Sequence, residues 1–236
     1  MKKIVVLTGA GMSVESGFST FRGANGLWNN YRVEDIASHD GWVRDPDMVN
    51  NFYNDLRCQL IKAKPNRGHF LLAEMERYYD VQIITQNVDN LHERAGSNHV
   101  LHLHGELMKV TSSKNVEDPH CIQELTAENY KVHHGDLAAD GSLLRPYIVF
   151  FQEAVPNITL AVELVRDADV FVIIGTSLNV YPAAGLLHYV PQKGVVYLID
   201  PNPVKTPDLF NVVYIQETAS VGIRILLEKY LAPPKN

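Results

Sequence analysis

Six short apolar runs punctuate the chain: KIVVLT (3–8), VQIIT (81–85), HVLHLH (99–104), DVFVIIG (169–175), VVYLI (195–199) and VVYI (212–215). They are brief, rich in β-branched residues and largely without polar alternation, which predicts strands buried on both faces of a parallel sheet. Between them the spacing turns helical. Asn66 is placed to cap a helix through RGHFLLAEMERYY, where Phe70, Leu71, Met75 and Tyr78 share one face. NITLAVELVRDA after Pro156 and SVGIRILLEKYL near the end repeat that spacing. Strands alternating with helices predict an α/β fold, a Rossmann-like parallel sheet with helices on both faces.

Two stretches break the alternation. Residues 21–63 hold a loop and then a helix, DMVNNFYNDLRCQLIKA, and residues 107–147 are polar and irregular. Both are expected to project as a small inserted module from a larger lobe made of residues 1–20, 64–106 and 148–236. A cleft between two such parts of one domain is a common ligand site.

Composition narrows the partners. With 236 residues, 46% of them hydrophobic, the chain suits one domain with a substantial core. The formal net charge of -6 offers no basic field for nucleic acid. No run approaches the roughly 20 apolar residues that span a bilayer. Lys2 and Lys3 lead straight into a strand, leaving no room for a signal peptide, and the two cysteines, Cys58 and Cys121, suit a reducing cytoplasm.

The unusual polar residues collect at predicted strand ends. Thr8-Gly9-Ala10-Gly11-Met12-Ser13 follows the first strand, and QNVDN (86–90) the second. His104-Gly105-Glu106, Gly175-Thr176-Ser177 and Asp200 follow later ones. In an open parallel sheet the carboxyl ends share one edge, where ligands bind, so these pieces describe one site. Gly9, Ala10 and Gly11 are expected to offer backbone N–H groups to a phosphate, with the Ser13 hydroxyl beside them. Gly175, Thr176 and Ser177 face a pyrophosphate from the other side, and Asp200 accepts from ribose hydroxyls. A dinucleotide is the ligand that fits best. The hydride-transfer fingerprint is nevertheless altered: Val14 stands where a third glycine belongs, and the next glycine is Gly17.

GAGMSVESGFSTFRGANGLW (9–28), TQNVDNLHERAG (85–96), HLHGEL (102–107), GTSLNVYPAA (175–184) and ETAS (217–220) together resemble the sirtuins, NAD-dependent protein lysine deacylases. The likeness spans nearly the whole chain apart from residues 110–142. It implies that Ala10, Ser13, Phe21, Arg22 and Trp28 belong to a loop that holds NAD, with Phe21 shielding the reacting ribose carbon. It also implies that Gln86, Asn87 and Asp89 line the ribose and nicotinamide pocket. Gly175 and Ser177 then meet the phosphates, Asp200 the adenosine ribose and Ala219 the adenine region. His104 matches the catalytic histidine, suited to take a proton from a ribose hydroxyl because imidazole titrates near neutrality. Acyl-lysine protein substrates would lie against IVFFQEAVP (148–156), with Val149 and Phe151 on the lysine stem.

This chain departs from the family pattern in several places. Sirtuins commonly carry zinc between two Cys-x-x-Cys pairs, but residues 107–147 contain only Cys121, so no metal is expected. His120, Cys121, His133 and His134 make a poor substitute, since adjacent residues rarely reach one tetrahedral ion together. Gln152 replaces the family's usual glycine, and Asp200 replaces a frequent Asn. The Tyr-x-x-Arg pair that grips acidic acyl groups is also altered: Tyr53 is followed by Leu56 and then Arg57. Either Arg57 reaches the pocket, or Leu56 makes it apolar and favours acetyl and other neutral acyl groups; the reading leans to the second. Transfer of ADP-ribose to protein or to water is the alternative activity. An NAD-sensing module without turnover is disfavoured by His104, Asn87 and Asp89. A monomer is expected.

Overall fold

Along Lys3–Thr8 the side chains alternate between two cores: Ile4 and Val6 enter one, Val5 and Leu7 the other. A strand flanked by apolar layers on both sides belongs in the middle of a sheet. The computed structural model describes residues 1–18, 31–206 and 212–231, and in it this strand is central. The strands are β1 (Lys3–Thr8), β2 (Asp80–Thr85), β3 (Val100–His102), β4 (Gly105–Ser112), β5 (Gln123–Glu124), β6 (Leu144–Ile148), β7 (Val170–Ile174), β8 (Val195–Ile199) and β9 (Val212–Ile215). The α-helices are α1 (Val33–Ile36), α2 (His39–Arg44), α3 (Pro46–Lys62), α4 (Arg67–Met75), α5 (Leu91–Arg94), α6 (Ile158–Arg166) and α7 (Ala219–Lys229).

All six predicted strands join one parallel sheet in the order β3-β2-β1-β7-β8-β9. Helices α4 and α7 cover one face through Leu71, Leu72, Met75, Ile223 and Leu226. The other face is covered by α6 and the 3-10 helix Ala183–Tyr189, through Ala161, Val165, Leu186 and Leu187. The chain runs outward from β1 in one direction and from β7 in the other. The crevice between their carboxyl ends is therefore the topological switch point, where open α/β sheets bind ligands.

Asn66 caps α4 as its sequence predicts, accepting from Gly68 N at 2.9 Å and His69 N at 3.3 Å. The buried face of that helix differs from the expected one. Leu71, Leu72 and Met75 are buried, whereas Phe70 is 40% and Tyr78 46% exposed. The stripe is centred between Leu71 and Leu72, and the helix ends at Met75, so Tyr78 lies on the following turn.

The segment from residue 107 to 147, read as irregular, contains an antiparallel sheet in the order β5-β4-β6. Pro146 is tolerated because β6 is an edge strand. Helices α1 to α3 pack on this side through Ile36, Trp42, Phe52, Tyr53 and Leu56, against Leu107, Ile148 and Phe150. Asn54 holds the outer loop by donating to Val132 O at 2.8 Å and accepting from Val132 N at 2.9 Å. Cys121 is buried among Val110, Val132, Ala138 and Leu144, and His134 instead meets Asp47 at 2.6 Å. Among the described residues no group of three His, Cys, Asp or Glu is placed to hold a metal ion.

Candidate active site at the carboxyl ends of the parallel strands

The turn after β1 and the turn after β7 press backbone against backbone. A Cβ on Gly11 would lie 2.5 Å from Gly175 Cα, and Gly175 itself has φ +62°. Gly9 N donates to Ile174 O at 3.0 Å, Gly11 N to Gly175 O at 2.8 Å, and Gly175 N to Ile199 O at 2.9 Å. These three N–H groups tie adjacent strand ends together, so the glycines serve close approach and not the phosphate donation expected of them. Among the described residues the N–H groups of Ala10, Thr176 and Ser177 have no partner and remain available as donors at this edge.

Ser13 likewise spends its proton inside the protein. Its Oγ donates to Asp89 Oδ2 at 2.8 Å and receives Asn87 Nδ2 at 3.3 Å. Asp89 is 1% exposed and also accepts from Leu91 N at 3.1 Å. Burial raises its pKa, against the lowering effect of these hydrogen bonds. Asn87 is fixed by donation to Gly9 O at 3.0 Å, and its N–H by Thr85 Oγ1 at 3.0 Å. Gln86 Nε2 reaches Thr176 Oγ1 at 3.1 Å across the crevice. At the end of β8, Asp200 Oδ1 accepts from Asn202 N at 2.8 Å, and Oδ2 has no partner among the described residues. Ala219 opens α7 and is buried. Phe21, Arg22 and Trp28 lie outside the described residues.

Three buried or half-buried histidines near this edge are sorted by their partners. His102 uses both ring nitrogens, Nδ1 on Asn87 O at 3.0 Å and Nε2 on Glu93 Oε1 at 2.8 Å. Burial opposes its charge, but the Glu93 carboxylate outweighs burial and raises its pKa. His92 donates Nε2–H to Thr8 Oγ1 at 3.1 Å, and Thr8 passes its own proton to Thr85 Oγ1 at 2.8 Å. That Thr8–Thr85 pair supports Asn87 from below and has no obvious mark in the sequence beyond threonines ending two strands. His104 differs from both. Its Nδ1–H donates to Gln86 O at 3.0 Å, since a carbonyl can only accept, and its Nε2 has no partner among the described residues. Burial lowers its pKa, partly offset by the Gln86 bond, so the ring is neutral at neutral pH with a lone pair on Nε2.

Beneath the site His69 packs edge-on against His92, ring centroids 4.8 Å apart, and accepts Asn66 N at 3.2 Å. Burial lowers its pKa to about 4, against the raising charge of Glu93. As pH falls from about 6.5 to about 4 the unfolded chain takes a proton that the folded one refuses, so stability is lost through that window. His69 alone is expected to remove on the order of 3 kcal/mol by pH 4. Denaturant midpoints at pH 6.5 and 4.5 measure it; a flat profile contradicts the assignment.

The expected substrate residues are partly engaged. Tyr53 and Leu56 are buried in the α1–α3 core. Arg57 is buried too, donating Nε to Leu107 O at 2.8 Å and Nη1 to Asn54 Oδ1 at 3.0 Å, while its Nη2 is buried and unpaired. Burial lowers its pKa to about 10, which leaves it charged at neutral pH. Val149 is half-buried and donates its N–H to His104 O at 3.0 Å. Phe151 is exposed at its side chain, but its backbone pairs with Ala37 O and His39 N.

The chain matches the family model described as Sir2 family over residues 9–182. An NAD-dependent protein deacylase of Bacteroides thetaiotaomicron is 59% identical over 234 residues, covering 99% of this chain and 100% of the relative. One from Helicobacter pylori (strain ATCC 700392 / 26695) is 47% identical over 231 residues, covering 98% of each. Among solved structures, a Sir2 homolog in complex with NAD is 38% identical with a TM-score of 0.83, covering 96% of this chain and 88% of that one. Sir2 with a p53 peptide and NAD+ is 31% identical with a TM-score of 0.78, covering 96% and 92%.

Proposed function

The chain belongs to the Sir2 family, and from that premise we propose that it is an NAD-dependent protein lysine deacylase, releasing nicotinamide and O-acyl-ADP-ribose. The observation that carries this reading is His104, with Nδ1–H fixed on Gln86 O and an Nε2 that has no partner among the described residues at the switch-point edge. The residues present fit the dinucleotide. The Gly11–Gly175 contact, which leaves no room for a Cβ, brings the two turns together; the N–H groups of Ala10, Thr176 and Ser177, unpaired among the described residues, would take phosphate oxygens, and Asp200 Oδ2 would take a ribose hydroxyl.

NAD, when bound, supplies a ribose carbon that parts from nicotinamide and receives the acyl oxygen. The protein's share is placement and proton transfer. Asn87 and Asp89, both anchored, hold the ribose and carboxamide side, and proximity of the acyl oxygen to the reacting carbon contributes several kcal/mol. His104 Nε2 then accepts a ribose hydroxyl proton, and the Gln86 carbonyl steadies the imidazolium that results. On this reading the larger lobe carries the dinucleotide. The described part of the small module, residues 31–63 and 107–147, closes the acyl-lysine side.

The acyl pocket favours neutral groups. Leu56 occupies the Tyr-x-x-Arg position, and the Arg57 guanidinium is held within the core by Leu107 O and Asn54 Oδ1. The one nitrogen of Arg57 unpaired among the described residues, Nη2, is buried within that core, so a succinyl carboxylate that did not displace the core to reach it would be desolvated without a partner, at a cost of several kcal/mol. Acetyl peptide is therefore expected to exceed succinyl peptide about a hundredfold or more in kcat/KM. Turnover of one peptide carrying each group in turn checks this, and equal rates would contradict it. The same reading has the protein acting as a cytoplasmic monomer, without nucleic acid or membrane. Its support is the net charge of -6 against nucleic acid and the free cysteines Cys58 and Cys121 for the cytoplasm; among the described residues no helix is long and apolar enough to cross a membrane.

A further inference from the structure

The segment that follows β6, from residue 149 to 153, is almost fully committed to its own chain. Val149 N donates to His104 O; Phe150 N donates to Glu153 Oε2 at 2.9 Å, and Phe150 O receives Glu153 N at 3.1 Å. Phe151 N donates to Ala37 O at 2.8 Å, and its carbonyl receives His39 N at 3.1 Å. Gln152 is the first residue along this run whose backbone N–H and C=O both lack a partner among the described residues. A substrate backbone adding to the segment therefore meets Gln152 as its first full pair of hydrogen-bonding groups.

Gln152 is held in an uncommon posture. Its φ is +77°, a left-handed conformation that a side chain disfavours and glycine accepts freely. Two hydrogen bonds hold its side chain on α2: Asp40 N to Gln152 Oε1 at 3.2 Å, and Gln152 Nε2 to Asp40 Oδ2 at 2.8 Å. The next residue is anchored more deeply. Glu153 pairs with buried Arg145 through Nη1 at 2.8 Å and Nη2 at 3.0 Å, and Arg145 lies 4.1 Å from the Phe150 ring centroid. Glu153 also meets His39 Nδ1 at 3.2 Å. The left-handed residue thus sits between a fixed anchor and a side-chain latch.

Granted the deacylase reading, the geometry points to Gln152 and Asp40 as positioning residues for the peptide substrate: the latch holds the backbone of residue 152 in the left-handed posture that presents its N–H and C=O to the incoming chain. Neither residue touches the dinucleotide cradle, so their effect falls on the peptide alone.

The test compares wild type with Gln152→Ala, Asp40→Ala and Gln152→Gly. For each, the Kd of an acetyl-lysine peptide and the separate KM values for peptide and NAD are measured. Gln152→Ala removes the latch but keeps the steric penalty, so peptide Kd and KM rise about fivefold or more. Asp40→Ala acts in the same direction. Gln152→Gly adopts the posture without a latch and returns peptide KM to within about twofold of wild type. NAD KM and kcat stay at wild-type values throughout. Unchanged peptide KM in Gln152→Ala and Asp40→Ala would overturn the inference while leaving a turning-over wild type, and so the deacylase reading, intact. Gln152→Gly as impaired as Gln152→Ala would overturn it too, as would NAD KM rising in step with peptide KM. A wild type that binds no acyl-lysine peptide would remove both the inference and the reading beneath it.

Discussion

Replacing His104 with alanine is expected to lower NAD-dependent deacylation by about a hundred- to ten-thousandfold, the range for losing a positioned general base. The loss should fall on kcat, because the ring meets Gln86 O and the open edge and takes no part in the Gly9–Gly11–Gly175 cradle. NAD binding by the variant is expected to persist, which separates lost chemistry from lost folding. Burial also lowers the pKa of His104, so in wild type the acid limb of kcat/KM should lie below pH 6.5. An acid limb above that value would give the proton transfer to another group. His102 is the alternative on the same strand, but it has no free nitrogen.

The second large effect concerns Gly11. An added Cβ would meet Gly175 Cα at 2.5 Å and Gly175 O at 2.9 Å, and no rotamer can relieve a clash with backbone. Gly11→Ala should push the two turns apart, costing about 1–3 kcal/mol of stability and raising NAD KM about tenfold or more. Gly17 provides the control. It has φ +71° but open space around it, so Gly17→Ala should cost only about 1 kcal/mol, from conformation alone, and leave NAD KM less affected. Paired thermal melts and NAD titrations read both. Equal behaviour of the two variants would show that close approach of the turns does not matter to the cofactor site.

Much of this was legible in the sequence because buried parallel strands leave an unambiguous pattern. KIVVLT corresponds to β1 throughout, and VVYLI and VVYI to β8 and β9. The place of the candidate site was legible from the strand ends, since a parallel sheet brings its carboxyl ends to one edge. The small sheet was not legible. Its β6 reads LRPYI, with a proline and an arginine whose burial depends on Glu153 eight residues later. Hydrogen-bond roles were also hidden. Nothing in GAG tells that the Gly9 and Gly11 N–H groups are taken by the β7 end, nor in Ser13 that its proton goes to Asp89. Such commitments depend on residues far away along the chain. Gln152 stood out only as a departure from glycine; its partner Asp40 lies 112 positions away.

The most direct test of the central claim is to identify the products formed from NAD and an acetyl-lysine peptide by mass spectrometry. The account predicts one O-acetyl-ADP-ribose for each lysine freed, with its formation lowered about a hundredfold or more in the His104→Ala variant. Free ADP-ribose or ADP-ribosylated protein in their place, with the acetyl group still on lysine, would contradict it.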